Sequence, residues 1–153
     1  MPDEPNAADW FDRLMHNPHV EAGLLVDNQG RILRSSYSRR SDHEVIASMI
    51  QALEVMAQSL SGEMKVGDAS RIQLMTEDSH LLLYPLLGST YFLLVELRRD
   101  APLMLMTAVI ERITAGVTLS GMAAMQQHAA SNTSDLDATE LIQAVQTWLR
   151  RKR

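Results

Sequence analysis

The stretch VEAGLLVDNQGRILRSSYSRRSDHEVIASMIQALEVMAQSLSG, residues 20–62, decides the predicted fold, because it holds three elements with few residues between them. Residues 20–26 form a short apolar run of strand length, and the residues DNQG at 27–30 then favour a turn. An extended pattern resumes over residues 31–37, so the two segments are predicted to form an antiparallel hairpin.

A long helix is predicted to complete this stretch. Ser41 and Glu44 match a capping box, in which each side chain accepts a hydrogen bond from the other residue's backbone amide. Gly62 is the expected C-terminal cap. Apolar residues recur at spacings of three and four and predict the apolar face of the helix: Val45, Ile46, Met49, Ile50, Leu53, Met56, Ala57 and Leu60. Polar residues predict the opposite face: Ser48, Gln51, Glu54 and Gln58.

Three further strands are predicted at residues 70–76, 80–86 and 91–97. The last two are apolar on both faces, as is the first strand of the chain, which is typical of central strands covered by helices on both sides. The second and third strands alternate or carry charge, which is typical of edges. We therefore expect the first, fourth and fifth strands in the centre of the sheet. Pro85 should lie near a strand end or a bulge, because proline donates no hydrogen bond to a ladder.

Helices are also predicted toward both ends of the chain. A short one is expected before Asn17, and a longer one opens at Pro102 and weakens through Gly116 and Gly121. Residues 129–134 are a predicted polar linker. The chain is therefore expected to divide into a domain at residues 1–120, a helix end and linker at residues 121–134, and an appended C-terminal amphipathic helix with a basic tail at residues 135–153.

The composition excludes several classes of protein. With 153 residues, 46% hydrophobic and 22% charged, the chain is typical of a single globular domain. A net charge of −5 argues against broad nucleic-acid binding. The absence of cysteine excludes disulfides and thiol chemistry. Because the sequence shows no signal peptide pattern and no apolar run near the ~20 residues that span a bilayer, we expect a cytoplasmic protein without an integral membrane segment.

No arrangement of residues predicts an active site. The five histidines have no metal-ligand spacing, and the hairpin glycines are not followed by the Lys-Ser or Lys-Thr of a phosphate loop. The serines within residues 35–38 lack the Gly-x-Ser-x-Gly pattern of a hydrolase. Asp27 is expected to bond the turn backbone at Gln29 or Gly30 rather than a metal. We therefore expect no catalytic residue, no metal and no cofactor, and a protein that is not an enzyme.

Several short motifs together resemble a known family. PHVEAGLLVD at residues 18–27 is followed by Gly30, by YPL at residues 84–86, and by the helix start DAPL at residues 100–103. With the order of the elements, this pattern resembles the Roadblock / dynein light chain family over roughly residues 7–118. The resemblance implies an α+β domain of three layers (α/β/α), profilin-like or longin-like, with a five-stranded antiparallel sheet, the order α-β-β-α-β-β-β-α, and an additional C-terminal helix.

The same resemblance implies an assembly and a function. Members of the family form homodimers in which the long second helix and the third strand meet their symmetry mates, and bacterial members regulate small Ras-like GTPases of gliding and cell polarity. A free third-strand edge also favours pairing with a second copy. The expected homodimer contacts are Arg71, Ile72, Gln73, Leu74, Met49, Leu53 and Met56. The expected partner contacts are Ser48, Gln51, Glu54, Gln58 and Trp148.

Other interpretations stay open at this point. The polar face of the long helix either contacts a GTPase or is a solvated stripe. The basic residues 150–153 either contact an acidic partner or lipid or, as we expect, match the helix dipole. The chain as a whole could instead be a structural adaptor, or a small-molecule sensor of PAS or profilin-like architecture. Six methionines form either an adaptable contact surface or, as we expect, gap-filling core residues: Met49, Met56, Met104, Met106, Met122 and Met125.

Overall fold

The computed structural model of the chain describes residues 9–37, 40–133 and 146–151. Residues 146–151 are helical. The other described residues form nine elements, which are α1 (Asp9–Met15), β1 (Val20–Asp27), β2 (Ile32–Ser35), α2 (Arg40–Met64), β3 (Ile72–Met75), β4 (Ser79–Leu86), β5 (Tyr91–Arg98), α3 (Leu103–Ala115) and α4 (Leu119–Thr133).

The five strands form one antiparallel sheet in the order β2-β1-β5-β4-β3. This order confirms that the two strands with charged or alternating sequence lie at the edges and the three apolar strands lie between them. The predicted β1–β2 hairpin is also confirmed, with a register shift between Leu25 and Val26. Pro85 is the penultimate residue of β4 and lies beyond the segment that pairs with β3, so its missing donor interrupts no bond to β3.

Helices cover both faces of the sheet, because alternate residues along each strand point to opposite sides. One face packs on α1, α3 and α4, and its core includes Phe11, Ile110 and Met122. The other face packs on α2 through Ala47 and Ile50. Most apolar side chains of the three central strands belong to one of these two clusters, which gives the expected three-layer α+β architecture.

The ends of α2 differ from the predicted caps. The helix begins at Arg40, so Ser41 is within its first turn. It continues past Gly62 to Met64 and ends in a Schellman motif, in which the amide of Val66 bonds the carbonyl of Ser61 and the amide of Lys65 bonds that of Gly62. Lys65 takes the left-handed conformation of this motif, with φ of 55°. Gly62 as the cap was therefore wrong, since a non-glycine residue three positions later takes that role.

The C-terminal part of the domain also departs from the predicted pattern. α3 ends at Ala115 with Gly116 as its C-cap, and α4 begins at Leu119, with an angle of 86° between the two helices. α4 extends to Thr133, so helix replaces most of the linker expected at residues 129–134. Met122 and Met125 belong to the core, although they lie beyond the expected boundary at residue 120. The tripartite division stays a prediction, and most of the appended helix, including residues 134–145, lies outside the described residues.

A polar network joins α4 to one end of the sheet. Asp27 is buried and accepts hydrogen bonds from the amides of Gln29 and Arg31, each at 2.9 Å, and from the Arg31 guanidinium at 2.8 Å. Gln126 of α4 donates to the same carboxylate at 3.1 Å and accepts from the Tyr91 hydroxyl at 3.2 Å. The expected backbone bond from Asp27 to Gln29 is confirmed, and the carboxylate also holds α4 in place.

Within the described ranges, no single helix is long and apolar enough to cross a membrane. One bent pair of helices, Leu103–Ala115 with Leu119–Gln127, is long and apolar enough to do so when the two helices are taken together.

Candidate interaction surface

A stripe of apolar side chains runs along the outward side of α2. It consists of Met49, Leu53, Met56, Leu60 and Met64, at successive spacings of four, three, four and four residues, and we call it the α2 stripe. Four of its members are strongly exposed, Met49 by 52%, Met56 by 60%, Leu60 by 63% and Met64 by 64%. Spacings of three and four residues place side chains on one seam, as in helices that pack lengthwise on another helix. The stripe is about 22 Å long at 1.5 Å per residue.

The predicted apolar face of α2 divides into a part that packs on the sheet and the largely exposed α2 stripe. The face that packs on the sheet is centred on His43, Ala47, Ile50 and Glu54, and Leu53, at the border of the stripe, is also partly buried against it. Apolar residues therefore occupy more than half of the helix circumference. The periodicity identified the apolar positions, but it did not separate those that meet the sheet from those that stay exposed.

Three of the expected partner contacts make hydrogen bonds within the chain. Glu54 is 6% exposed, and its Oε1 accepts a hydrogen bond from Gln58 at 3.1 Å, while its Oε2 has no hydrogen-bond partner among the described residues. Gln58 also contacts the backbone of Ala69 at 3.4 Å, which ties the loop before β3 to α2. Gln51 donates to the carbonyl of Asn28 at 2.8 Å and so supports the β1–β2 turn. These side chains hold α2 on its own domain. The predicted exposed position is wrong for the buried Glu54, while Gln51 and Gln58 are half-buried, and a partner contact at all three stays a prediction.

Ser48 and Trp148 are the other expected partner contacts. Ser48 is exposed on α2, where its hydroxyl donates to the carbonyl of Glu44. Trp148 is half-buried within the helical residues 146–151 and has contacts of its own. Nothing in the structure tests a partner at either residue, so both stay predictions.

The edge strand β3 is the second part of the surface. Among the described strands it pairs with β4 alone, so its other edge presents free backbone groups. Ile72 packs against the cluster beneath α2, Leu74 is 43% exposed, and Gln73 is exposed. Leu74 projects to the same side of the sheet as Ile72, two residues away, and therefore to the side that carries α2. The α2 stripe and the β3 edge together form one exposed apolar surface on the α2 side of the sheet.

Arg71, the remaining expected dimer contact, has a partner within the chain. Its guanidinium pairs with Glu111 of α3 at 3.2 Å, on the side of the sheet opposite α2. Tyr84 lies in the same region, and burial raises the pKa of its phenol, partly offset by Arg71. Both members of the ion pair are partly exposed, so its contribution to stability is small.

Polar contacts position the N-terminal end of α2. His43 is buried, its Nε2 lies 3.2 Å from the Ser35 hydroxyl, and its ring is 5.9 Å from that of Tyr37. The Tyr37 hydroxyl donates to Glu96 of β5 at 3.1 Å. Burial, followed by the charge and hydrogen bond of Glu96, raises the pKa of Tyr37 above its ordinary value. These contacts fix the start of the helix on β2 and β5, which orients the α2 stripe.

The methionines divide into two groups, so the expectation that all six fill the core is only partly correct. Met106, Met122 and Met125 are buried, as expected. Met49, Met56 and Met104 are exposed.

Among the residues that the structure describes, no three His, Asp or Glu side chains are close enough to hold a metal ion.

The fold and this surface define the class of protein to which the chain belongs, a mixed α+β domain with a long exposed helix beside a free sheet edge. Residues 7–96 match the family model of the Roadblock/LC7 domain, and the chain belongs to this family. No curated relative matches the chain significantly.

Solved structures of the same family have the same fold. MglB from Myxococcus xanthus superposes with a TM-score of 0.66 at 18% identity, covering 74% of this chain and 92% of that one. The gliding protein mglB from Thermus thermophilus gives 0.62 at 14% identity, covering 80% and 90%. A Roadblock/LC7 domain from Streptomyces avermitilis gives 0.62 at 17% identity, covering 69% and 89%. At these identities the similarity establishes the fold.

Sequence reasoning missed two apolar contributors to the surface. Leu60 was listed as an apolar position of the helix but not as a dimer contact, and Met64 was placed beyond the end of the helix, although both extend the α2 stripe. A count of apolar positions around the helix was the available signal, because their number exceeds what one sheet-facing stripe requires.

Proposed function

We propose that this chain is a homodimeric regulator or scaffold that binds a small Ras-like GTPase and modulates its nucleotide cycle, without catalytic chemistry of its own. Membership of the Roadblock/LC7 family supports this class. The observation that carries the proposal is the exposed α2 stripe beside the free edge of β3. The cytoplasmic location stays part of this proposal.

The α2 stripe and the β3 edge suit a second copy of the chain. Pairing β3 with its symmetry mate would continue the sheet across a twofold axis and bring the two α2 helices side by side on the same face. Their apolar seams would then bury each other, and the backbone groups of both edges would gain hydrogen bonds. A stable interface of standard size buries about 800 Å² per partner, and the proposed dimer would draw this area from the stripe, about 22 Å long, and the edge strand together.

A regulator without its own chemistry acts through differential affinity, since a partner shifts an equilibrium only when it binds one of the two states more tightly. We therefore expect the dimer to prefer either the GDP or the GTP form of its GTPase. The similarity to a gliding protein supports a role in motility or cell polarity. A sensor function is not favoured, because the central-strand side chains that would line its ligand site, such as Leu82, Leu93 and Val95, are buried in the core.

The dimer is tested by placing a charge in the middle of the α2 stripe. Met56→Glu should raise the dimer dissociation constant by roughly a hundredfold or more, because two carboxylates would meet across the twofold axis. Ser59→Glu is the matched control, since Ser59 is exposed on the same helix but outside the stripe. Sedimentation equilibrium measures both constants, and circular dichroism checks the fold. A native chain that stays monomeric at all concentrations would rule out the dimer.

The GTPase is tested with the purified chain as bait in a lysate of its native cells, once with GDP and once with a non-hydrolysable GTP analogue. A Ras-like GTPase enriched with one nucleotide would support the proposal and identify the preferred state. Rates of nucleotide hydrolysis and exchange, measured with and without the dimer, would then give the direction of regulation. If no GTPase is enriched with either nucleotide while another protein is, the adaptor function replaces the regulatory one.

A further inference from the structure

Methionine supplies three of the five side chains of the α2 stripe. Met49, Met56 and Met64 lie two helical turns apart, and each exposes more than half of its surface in the single chain. Met106, Met122 and Met125 are buried in the core. The chain has no cysteine, so methionine sulfur is the only sulfur available to an oxidant. Met49, Met56 and Met64 are the three methionines of α2, and all of them lie on the surface proposed for the dimer, where Met75 of β3 is also 65% exposed.

We propose that Met49, Met56 and Met64 are oxidation sites through which a hydroperoxide controls dimerisation of this chain. The inference rests on the proposed function, because it requires that the α2 stripe is the homodimer interface. Oxidation would convert the stripe from an apolar seam into a polar one and release the two protomers. In the dimer, the α2 stripe is covered by a second copy of this chain. The oxidant is hydrogen peroxide.

The chemical step is a two-electron oxygen transfer. The sulfur lone pair of the methionine attacks one oxygen of the peroxide, a sulfur–oxygen bond forms, and the oxygen–oxygen bond breaks. The other oxygen takes up the proton of the transferred one and leaves as water. The sulfur is oxidised to the sulfoxide, the peroxide is reduced to water, and methionine sulfoxide reductases reverse the change.

Sulfoxide formation weakens the interface because it adds a strongly polar oxygen at the centre of an apolar contact. A hydrogen-bond acceptor buried there without a donor disfavours the associated state. The inner face of α2 offers no such site, since Ala47 and Ile50 make its apolar contacts with the sheet. The fold should therefore survive the oxidation while the dimer separates.

The dimer should also protect these sulfurs, because association covers them. Only the dissociated protomer would then react quickly, and the reaction would trap it in the monomeric form. Met104 provides an internal reference, since it is 89% exposed on α3, on the other side of the sheet. Its rate of oxidation should not depend on dimerisation.

The first experiment measures oxidation site by site with the full chain. Samples at concentrations well below and well above the dimer dissociation constant are treated with hydrogen peroxide, quenched and analysed by peptide mass spectrometry. We expect oxidation of Met49 and Met56 to slow by roughly tenfold or more at the high concentration, with Met104 unchanged. Equal rates for the stripe methionines at both concentrations would overturn the proposal.

The second experiment measures the consequence for the dimer. Sedimentation equilibrium gives the dissociation constant before and after peroxide treatment for the native chain and for a variant with Met49→Leu, Met56→Leu and Met64→Leu. We expect treatment to raise the native constant by roughly tenfold or more and the variant's own constant by less than about twofold. Met104→Leu and Met75→Leu are the matched controls. They remove exposed methionines of α3 and β3, leave the stripe intact, and should respond as the native chain does. Treatment with methionine sulfoxide reductases should restore the native constant.

The outcomes separate this inference from the proposed function. If the untreated chain forms no dimer, the proposed function fails and the inference fails with it. If the untreated chain dimerises but the oxidised chain dimerises equally well, the inference alone fails. If peroxide weakens the dimers of the native chain and of the triple leucine variant equally, the inference is also overturned, because the oxidation that matters would then lie at other residues.

Discussion

At the scale of single residues, the buried carboxylates show which roles local sequence reveals. Asp27 follows a strand and opens a turn, and its hydrogen bonds to the next residues could be predicted from turn chemistry alone. Its bond to Gln126 could not, because that residue is brought close only by the packing of α4. Glu54 was expected to be exposed and is buried, since its orientation depends on how α2 rotates onto the sheet.

Replacing Asp27 tests how much this network contributes. Asp27→Ala should lower the free energy of unfolding by about 2–3 kcal/mol, because the turn amides and Gln126 lose a buried charged acceptor. Asp100→Ala is the control, since Asp100 is exposed in a loose pair with Arg98 and should change the free energy by less than about 0.5 kcal/mol. Urea unfolding gives both values. If both substitutions change the free energy of unfolding by the same small amount, the network around Asp27 contributes little to stability.

The raised pKa of Tyr37 predicts how the stability of the fold changes at alkaline pH. Because its pKa is higher in the folded chain than the ordinary 10.0, the folded state holds the phenol proton more tightly than the unfolded state does. The stabilisation is complete below about pH 10 and decreases as the pH rises through the folded pKa. Tyr37→Phe should therefore cost about 1 kcal/mol near pH 8, from the lost bond to Glu96, and should lose less stability than the native chain near pH 11.

The comparison isolates Tyr37, because Tyr84 is present in both proteins and contributes the same alkaline slope to each. Urea unfolding at the two pH values supplies the measurement. A native chain and a Tyr37→Phe variant that lose equal stability between these pH values would contradict the assigned hydrogen bond and burial.

At the scale of elements, the positions of the strands in the sheet were predictable, because the composition of each strand indicates whether one or both of its faces are buried. The strands that are apolar on both faces lie in the centre, and the others lie at the edges. Helix ends were less predictable. The end of α2 depends on Lys65 in a left-handed conformation that favours glycine, while the nearby Gly62 stays helical. Propensity favoured the glycine as the cap, and the tertiary structure extended the helix past it.

Two glycines near the end of α2 should respond in opposite ways to the same substitution. Gly62→Ala should raise the free energy of unfolding by about 0.5–1 kcal/mol, because the residue is helical and a Cβ meets nothing within 4 Å. Gly67→Ala should lower it by about 1 kcal/mol, because its φ is 92° and L side chains disfavour that conformation. Chemical unfolding of the two variants decides the matter. A loss of stability in Gly62→Ala would show that the helix ends earlier than Met64.

At the scale of the whole molecule, the single chain presents a surface that its own fold does not use. The sequence predicted the layers of the domain, since hydrophobic period and turn residues are local properties. It did not predict the rotation of α2, because two apolar stripes on one helix satisfy the same periodicity and only packing decides which one meets the sheet. A helix that is apolar over more than half of its surface therefore predicts an assembly as well as a fold.

The appended C-terminal segment is the remaining part of the molecule to assign, because the family match ends at residue 96 and α4 completes the core. If residues 135–153 recruit the GTPase, a chain ending at residue 134 should lose at least about tenfold in GTPase affinity while its dimer constant changes by less than about twofold, since the α2 stripe and β3 are intact. Trp148→Ala in the full chain is the milder variant and should weaken binding in the same direction, because aromatic side chains often dominate interfaces. Isothermal titration calorimetry with the GTPase gives the affinities, and sedimentation gives the dimer constant. Unchanged affinity in both variants would assign GTPase binding to the dimer's folded surface, and a weaker dimer in the shortened chain would assign the segment to assembly.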